Sequence, residues 1–194
     1  MPFDDYQYDV FISYKRDDLF QKWISTVVKH LGYWLAQELG VREVKIFVDQ
    51  ECLEVGDLWP ESLKSALKSS RCMVGIWSPS YFQSEWCMTE WESFLGREKL
   101  VNMGFHGLIA PVRFHDGEHF PPRAKQVQWL DFAPYTCPLD VFWSTPLAVE
   151  FTSKIQELAK SVAAIIRRAP AYQHDWPIVQ GTPLPPPAVG MRRL

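Results

Sequence analysis

The chain has 194 residues, 47% hydrophobic and 22% charged, with a net charge of −3. That is the balance of one ordinary folded domain, with room for a tail, rather than of a disordered chain. The acidic balance argues against a dedicated nucleic-acid surface. Nine tryptophans are many for this length; such rings build cores, and they also wall ligand pockets.

The first residues, MPFDDYQYDV, have no basic leader region and no long apolar run, so no signal or transit peptide is predicted. No stretch approaches the roughly 20 apolar residues of a membrane helix. The cysteines Cys52, Cys72, Cys87 and Cys137 are scattered without a C-x-x-C pair. They read as thiols of a reducing compartment rather than as disulfides, and the expected location is cytoplasmic.

YDVFISY (8–14) is short, apolar and β-branched, a buried strand that runs into the polar stretch Lys15-Arg16-Asp17-Asp18. Phe20, Trp23, Val27, Leu31, Trp34, Leu35 and Leu39 then recur at helical spacing, and Gly40 stops the helix. VKIFVD (44–49) is a second strand, and Pro60 opens a helix to about Ser69. CMVGIWS (72–78) is a third strand. Ser78-Pro79 begins a helix predicted to run without a break to about Arg97.

GLIAPVRF (107–114) and VQWLDF (127–132) are the last two strands, and a final helix spans about 146–168. Alternating strands and helices, with strands hydrophobic throughout, predict a parallel sheet covered on both faces. Ligands of such sheets lie beyond the carboxyl ends of the strands, which singles out the loops after residues 14, 49 and 78. From Ala169 onward the chain is proline-rich and aperiodic. It reads as an extended flexible tail, or alternatively as a docking segment anchored by Trp176.

Trp86 and Glu90 stand one helical turn apart after the third strand, and the same face carries Phe82 and Phe94 in the unbroken-helix reading. Trp34 and Glu38 have the same spacing near the end of the first helix, so spacing alone is weak and position must decide. His115 and His119, with Asp116 and Glu118 between them, have a spacing that a metal could use, but no third ligand is apparent. No phosphate-binding glycine loop and no G-x-S-x-G elbow occurs.

Taken together, YDVFISYKRDD, the stretch from FVDQECLEVGDLW to GIWSPSY, and the pattern formed by Ser78, Tyr81, Ser84, Trp86, Cys87 and Glu90 resemble a Toll/interleukin-1 receptor (TIR) domain. The resemblance is clear over about 8–100, looser to 168, and absent in the tail. It implies a flavodoxin-like three-layer α/β fold with a five-stranded parallel sheet over 1–168, followed by a Pro-rich tail at 169–194. It also implies two possible occupations. Some TIR domains cleave the nicotinamide–ribose bond of NAD+, giving an ADP-ribose-type product that is in some cases cyclic, while others are adaptors that act only by self-association.

Glu90 matches the catalytic glutamate of the NAD-cleaving members. Phe11, Ser13, Lys15, Arg16, Asp49, Tyr81, Ser84 and Trp86 are the substrate-binding positions the resemblance implies. Asp49, Glu51, Leu53, Glu54 and Gly56 fit the BB-loop pattern, and Glu51, Leu53, Gly56 and Leu58 are the positions implied for docking on a neighbouring protomer. Cys52 stands where an animal NAD-cleaving member has lysine. No cofactor and no metal are implied, NAD+ being a substrate. The expectation is a stand-alone enzyme resembling the TIR component of Thoeris antiphage systems, whose product a separate effector protein would sense, with no nucleic-acid or membrane partner. The alternative is a non-enzymatic adaptor or host-mimicking module.

Overall fold

The computed structural model describes residues 5–48, 61–103 and 107–185. Among them, β1 (Tyr8–Tyr14), β2 (Ile46–Val48), β3 (Ser70–Trp77), β4 (Ile109–Arg113) and β5 (Leu130–Asp131) form one parallel sheet in the order β2-β1-β3-β4-β5. This is the strand order of a flavodoxin-like fold, in which the chain reverses its direction of travel between β1 and β3. Val10, Phe11 and Ile12 of β1 and Cys72, Met73 and Val74 of β3 are all buried, as strands covered on both faces must be. At the outer edge Arg113 and Asp131 form a two-pronged ion pair at 3.0 and 2.5 Å that ties β4 to the short β5.

The helices are α1 (Gln21–Leu39), α2 (Glu61–Lys68), α3 (Pro79–Phe82), α4 (Glu85–Leu100), α5 (Pro122–Lys125) and α6 (Pro146–Arg168). Right-handed crossovers put connections that travel one way along the sheet on one face and those that travel the other way on the opposite face. Accordingly α1 packs with α6 on one side, and α2 and α4 cover β1 from the other. Gly40 ends α1 with a φ of 67°, a left-handed cap that suits glycine. Trp23 is the centre of the α1–α6 layer, meeting Phe114, Phe132 and Phe151 edge-on and donating its indole N–H to the Tyr135 carbonyl at 2.9 Å.

The structure corrects the sequence reading in two places. The helix expected to run unbroken from Ser78 is interrupted at Gln83–Ser84, because Ser84 is extended and its hydroxyl accepts from the Cys87 N–H as the N-cap of α4. Phe82 therefore belongs to α3 and packs on Trp77, Trp91 and Phe120 rather than sharing a face with Glu90.

The second correction concerns the tail: its described part is not a flexible end but the alternative reading, a docking segment on its own domain anchored by Trp176. Residues 176–181 lie along α4, with Trp176 only 1% exposed, while Pro170 and Tyr172 meet Tyr6. Aperiodicity was a poor guide because an extended strap has no helical or strand period to reveal which side chains it buries.

Ser13 and Gly75 are register partners in β1 and β3. A Cβ at position 75 would lie 2.7 Å from the Trp77 indole nitrogen, and that ring is hemmed in by Phe82, Trp91 and Phe120. Gly75→Ala should therefore cost about 1–3 kcal/mol through overpacking. Urea unfolding measures this, and an unchanged midpoint would show that the Trp77 ring yields freely.

Candidate active site

The direction reversal of the chain opens the sheet between the carboxyl ends of β1 and β3, where this architecture accepts ligands. Ser13, near the end of β1, points to the α4 side of the sheet and is buried. Its hydroxyl donates to Glu90 Oε2 at 2.5 Å and lies 2.8 Å from the Tyr81 hydroxyl. A serine has one hydrogen to give, so with that hydrogen on Glu90 the Tyr81 hydroxyl is the donor to Ser13. The result is a directed chain from Tyr81 through Ser13 to the carboxylate.

Three elements converge to build it. β1 supplies Ser13, α3 supplies Tyr81, and the second turn of α4 supplies Glu90, which is 5% exposed. Burial raises the Tyr81 pKa well above the usual phenol value, with the neighbouring Cys87 and Glu90 adding to it, so the hydroxyl keeps its proton. Burial also pushes the Cys87 thiol up, Glu90 again adding and Lys15 opposing. Cys87 is accordingly a neutral packing residue rather than a nucleophile.

The implied substrate-binding positions divide into several groups. Ser13, Tyr81 and Glu90 meet directly. Trp86 is half-buried one turn before Glu90, Lys15 is exposed, and Arg16 is half-buried just beyond β1. Phe11, in contrast, is fully buried, stacked on Phe47 at 5.2 Å and against Phe94 at 6.5 Å. It supports the site from beneath, because alternate residues of β1 face the same layer and Phe11 lies one pleat below Ser13. Ser84 is buried as the helix cap already described, so its hydroxyl is committed to the backbone. Asp49, Glu51, Leu53, Gly56 and Leu58 lie outside the described residues.

A cavity of about 350 Å³ opens at the same end of the sheet, lined by Tyr14, Lys15, Ser78, Gln83, Phe114 and His115 among others. Gln83 and Phe114 were not singled out in the sequence. Gln83 falls at the α3–α4 break, and Phe114 is the first residue after β4, a position whose importance follows only from the strand order. A larger groove of about 710 Å³ lies between α1 and β2 and includes Tyr8 at the amino end of β1, the wrong end of the sheet for this chemistry. His115 pairs with its neighbour Asp116 at 3.2 Å, and among the described residues no group of three or more His, Cys, Asp or Glu is placed to hold a metal.

A TIR-domain family model matches residues 10–141, and the chain belongs to that family. It is 29% identical over 106 residues to the NAD(+) hydrolase TirS of Staphylococcus aureus, covering 55% of this chain and 34% of that protein. It is 31% identical over 122 residues to a probable 2′ cyclic ADP-D-ribose synthase, BdTIR, of Brachypodium distachyon, covering 60% of this chain and 51% of that protein. The chain thus spans about half or less of the length of these relatives. Among solved structures, the TIR domain of the Toll-related receptor TRR-2 from Hydra magnipapillata aligns with a TM-score of 0.41 at 20% identity, over 76% of this chain and 99% of that one. No helix among the described residues is long and apolar enough to cross a membrane.

The directed chain makes an ordering testable. Tyr81→Phe removes the terminal donor and leaves the Ser13–Glu90 bond, at a cost of about 1 kcal/mol. Ser13→Ala leaves both the Tyr81 hydroxyl and the carboxylate short of a partner and should cost more, about 2–3 kcal/mol. Urea unfolding of both variants checks the order, and the reverse order would mean that Ser13 does not mediate between the other two.

Proposed function

We propose that the protein cleaves the bond between nicotinamide and ribose in NAD+, with Glu90 as the catalytic carboxylate. The observation that carries this reading is the placement of Glu90, a buried acid bonded to Ser13 at the reversal point of the sheet. The names of the TirS and BdTIR relatives point to the same substrate.

In the reaction the glycosidic C–N bond breaks, and its electron pair leaves with nicotinamide. The ribose carbon becomes part of an oxocarbenium ion. A carboxylate in a partly dry site stabilises that developing positive charge, and its electrostatic effect is greater there than in water. The half-buried Trp86 ring, one turn earlier, packs beside the nicotinamide or ribose and limits access of water. Lys15 or Arg16 holds the diphosphate. Water, a hydroxyl of the same nucleotide or another base then adds to the cation, so hydrolysis, cyclisation and base exchange diverge only at this last step.

The setting we propose, from the resemblance of the 78–90 motif to stand-alone NAD-cleaving TIR proteins, is bacterial antiphage defence of the Thoeris type. There the product would signal to a separate effector protein. Self-association through the BB loop would complete the site, as the resemblance implies.

Glu90→Gln keeps the size and hydrogen bonding of the side chain and removes its charge. Nicotinamide release should fall about 100- to 1,000-fold, with circular dichroism unchanged. Glu38→Gln is the control. Glu38 has the same spacing from a tryptophan but sits near the C-terminal end of α1, where Arg167 bonds its backbone carbonyl, and the variant should match wild type. Full activity in Glu90→Gln would remove the catalytic assignment, and a wild type that releases no nicotinamide at any concentration would favour the adaptor.

Assembly gives a separate test. If a neighbour completes the site, activity per molecule should fall as the protein is diluted from micromolar to nanomolar. Constant specific activity across that range would mean that each protomer carries a whole site.

A further inference from the structure

α4 is covered on two sides. One side faces the sheet and carries Glu90 and Phe94. The other carries Thr89, Ser93 and Gly96, small residues at i, i+4 and i+7 that leave a shallow channel along the helix. Residues 176–181 fill this channel and run antiparallel to α4. Trp176 lies over the Arg97 guanidinium at 4.8 Å, and the Val179 N–H donates to Ser93 Oγ at 2.9 Å. The Gly181 N–H donates to Thr89 Oγ1 at 2.9 Å, and the Leu184 N–H to the Phe82 carbonyl at 2.8 Å.

The fit is close. Gly181 rests so tightly on the Met88–Thr89 backbone that a Cβ has no room there, and a Cβ at Gly96 would meet Val179 at 3.1 Å. Helix α4 contributes two buried hydroxyls to the segment's main chain, Ser93 and Thr89. Main-chain bonds together with pockets for particular side chains are how grooves recognise extended peptides. The anchor is not fully satisfied, however. Among the described residues the Arg97 Nε and Trp176 Nε1 donors are both buried without an acceptor, a condition that costs free energy as long as the anchor is seated.

We propose that the outer face of α4 is a peptide-binding groove for an extended Trp-Pro-aliphatic-aliphatic-x-Gly segment, that residues 176–184 are its ligand within the chain, and that the seated strap positions Glu90. The catalytic part of this rests on the reading of Glu90 given above. Thr89 is the link. It binds the strap on one face of the helix and is the chain neighbour of Glu90, which meets Ser13 on the adjacent, sheet-facing side. Thr89 and Gly181 are positioning residues with no contact to substrate.

The test uses the full chain with Gly181→Val, which cannot seat at Thr89. Thr89→Val removes only the acceptor, and Thr89→Ser restores it. In Gly181→Val and Thr89→Val, amide exchange should rise about tenfold or more at Val179 and Gly181 and also at Thr89–Trp91, with β1 and β3 unchanged. Thr89→Ser should behave as wild type. Nicotinamide release should lose kcat at constant KM in the same two variants.

A fluorescent synthetic peptide of residues 170–185 should bind Gly181→Val at least about tenfold more tightly than it binds wild type, whose groove is filled. Loosening confined to the strap amides would overturn the positioning role. Absence of peptide binding to Gly181→Val would overturn the groove. If no form of the protein releases nicotinamide, the catalytic reading fails, while exchange and peptide binding still decide the groove and its coupling to α4. Should Gly181→Val not fold, Gly181→Ala, whose Cβ alone would lie 2.2 Å from the Met88 backbone, supplies both readouts with the groove intact.

Discussion

The Arg97 guanidinium joins the three segments whose arrangement fixes α4. It donates to the Ser70 carbonyl at 2.7 Å and the Leu67 carbonyl at 2.9 Å, which ties the helix to the turn between α2 and β3. Its faces meet Phe94 at 4.4 Å and Trp176 at 4.8 Å, which ties the helix to the strap. The side chain is fully buried, and burial lowers its pKa to about 10, so it stays charged at neutral pH. Among the described residues no carboxylate pairs with this buried cation, and two carbonyl dipoles and two aromatic faces replace most of its water, leaving Nε as the unmet donor. Because Arg97 lies seven residues after Glu90, about two turns along the same rigid helix, its restraint is transmitted to the acid.

Within that frame the site depends on a contrast between neighbours. Tyr81 and Cys87 surround Glu90 with groups that burial keeps neutral. The negative charge of a Glu90 carboxylate is therefore not shared with an ionised phenol or thiolate, and its field acts on whatever cation forms beside it. The hydrogen bond from Ser13 orients the carboxylate from the sheet side. Phe11 and Phe94 form an apolar floor below it, and that floor excludes water from one side.

Helix α4 also explains why its own amphipathicity is faint. A surface helix shows one apolar stripe, but a helix covered by the sheet on one side and by a strap on the other does not. Its outward stripe of Thr89, Ser93 and Gly96 is polar or small and still lies under protein. The small-residue stripe and the Trp-Pro-aliphatic-aliphatic-x-Gly run were both present in the sequence. Nothing local says that the two meet, since more than 80 residues separate them along the chain.

By itself the sequence determined the alternation of strand and helix, the buried character of β1 and β3, the 146–168 helix, and the candidacy of Glu90 over Glu38. Those features depend on periodicity, on capping residues and on order along the chain, which are local properties. Tertiary structure decided that Ser13 and Tyr81 converge on Glu90 and that Phe11 is floor rather than wall. It also decided that Gly75 makes room for Trp77, that Ser84 breaks the helix, and that the tail is a strap. Each of these depends on strand register, on the hand of a crossover or on a contact between distant segments. No window of sequence contains that information, because it arises only when the sheet closes and α4 is pressed between its two covers.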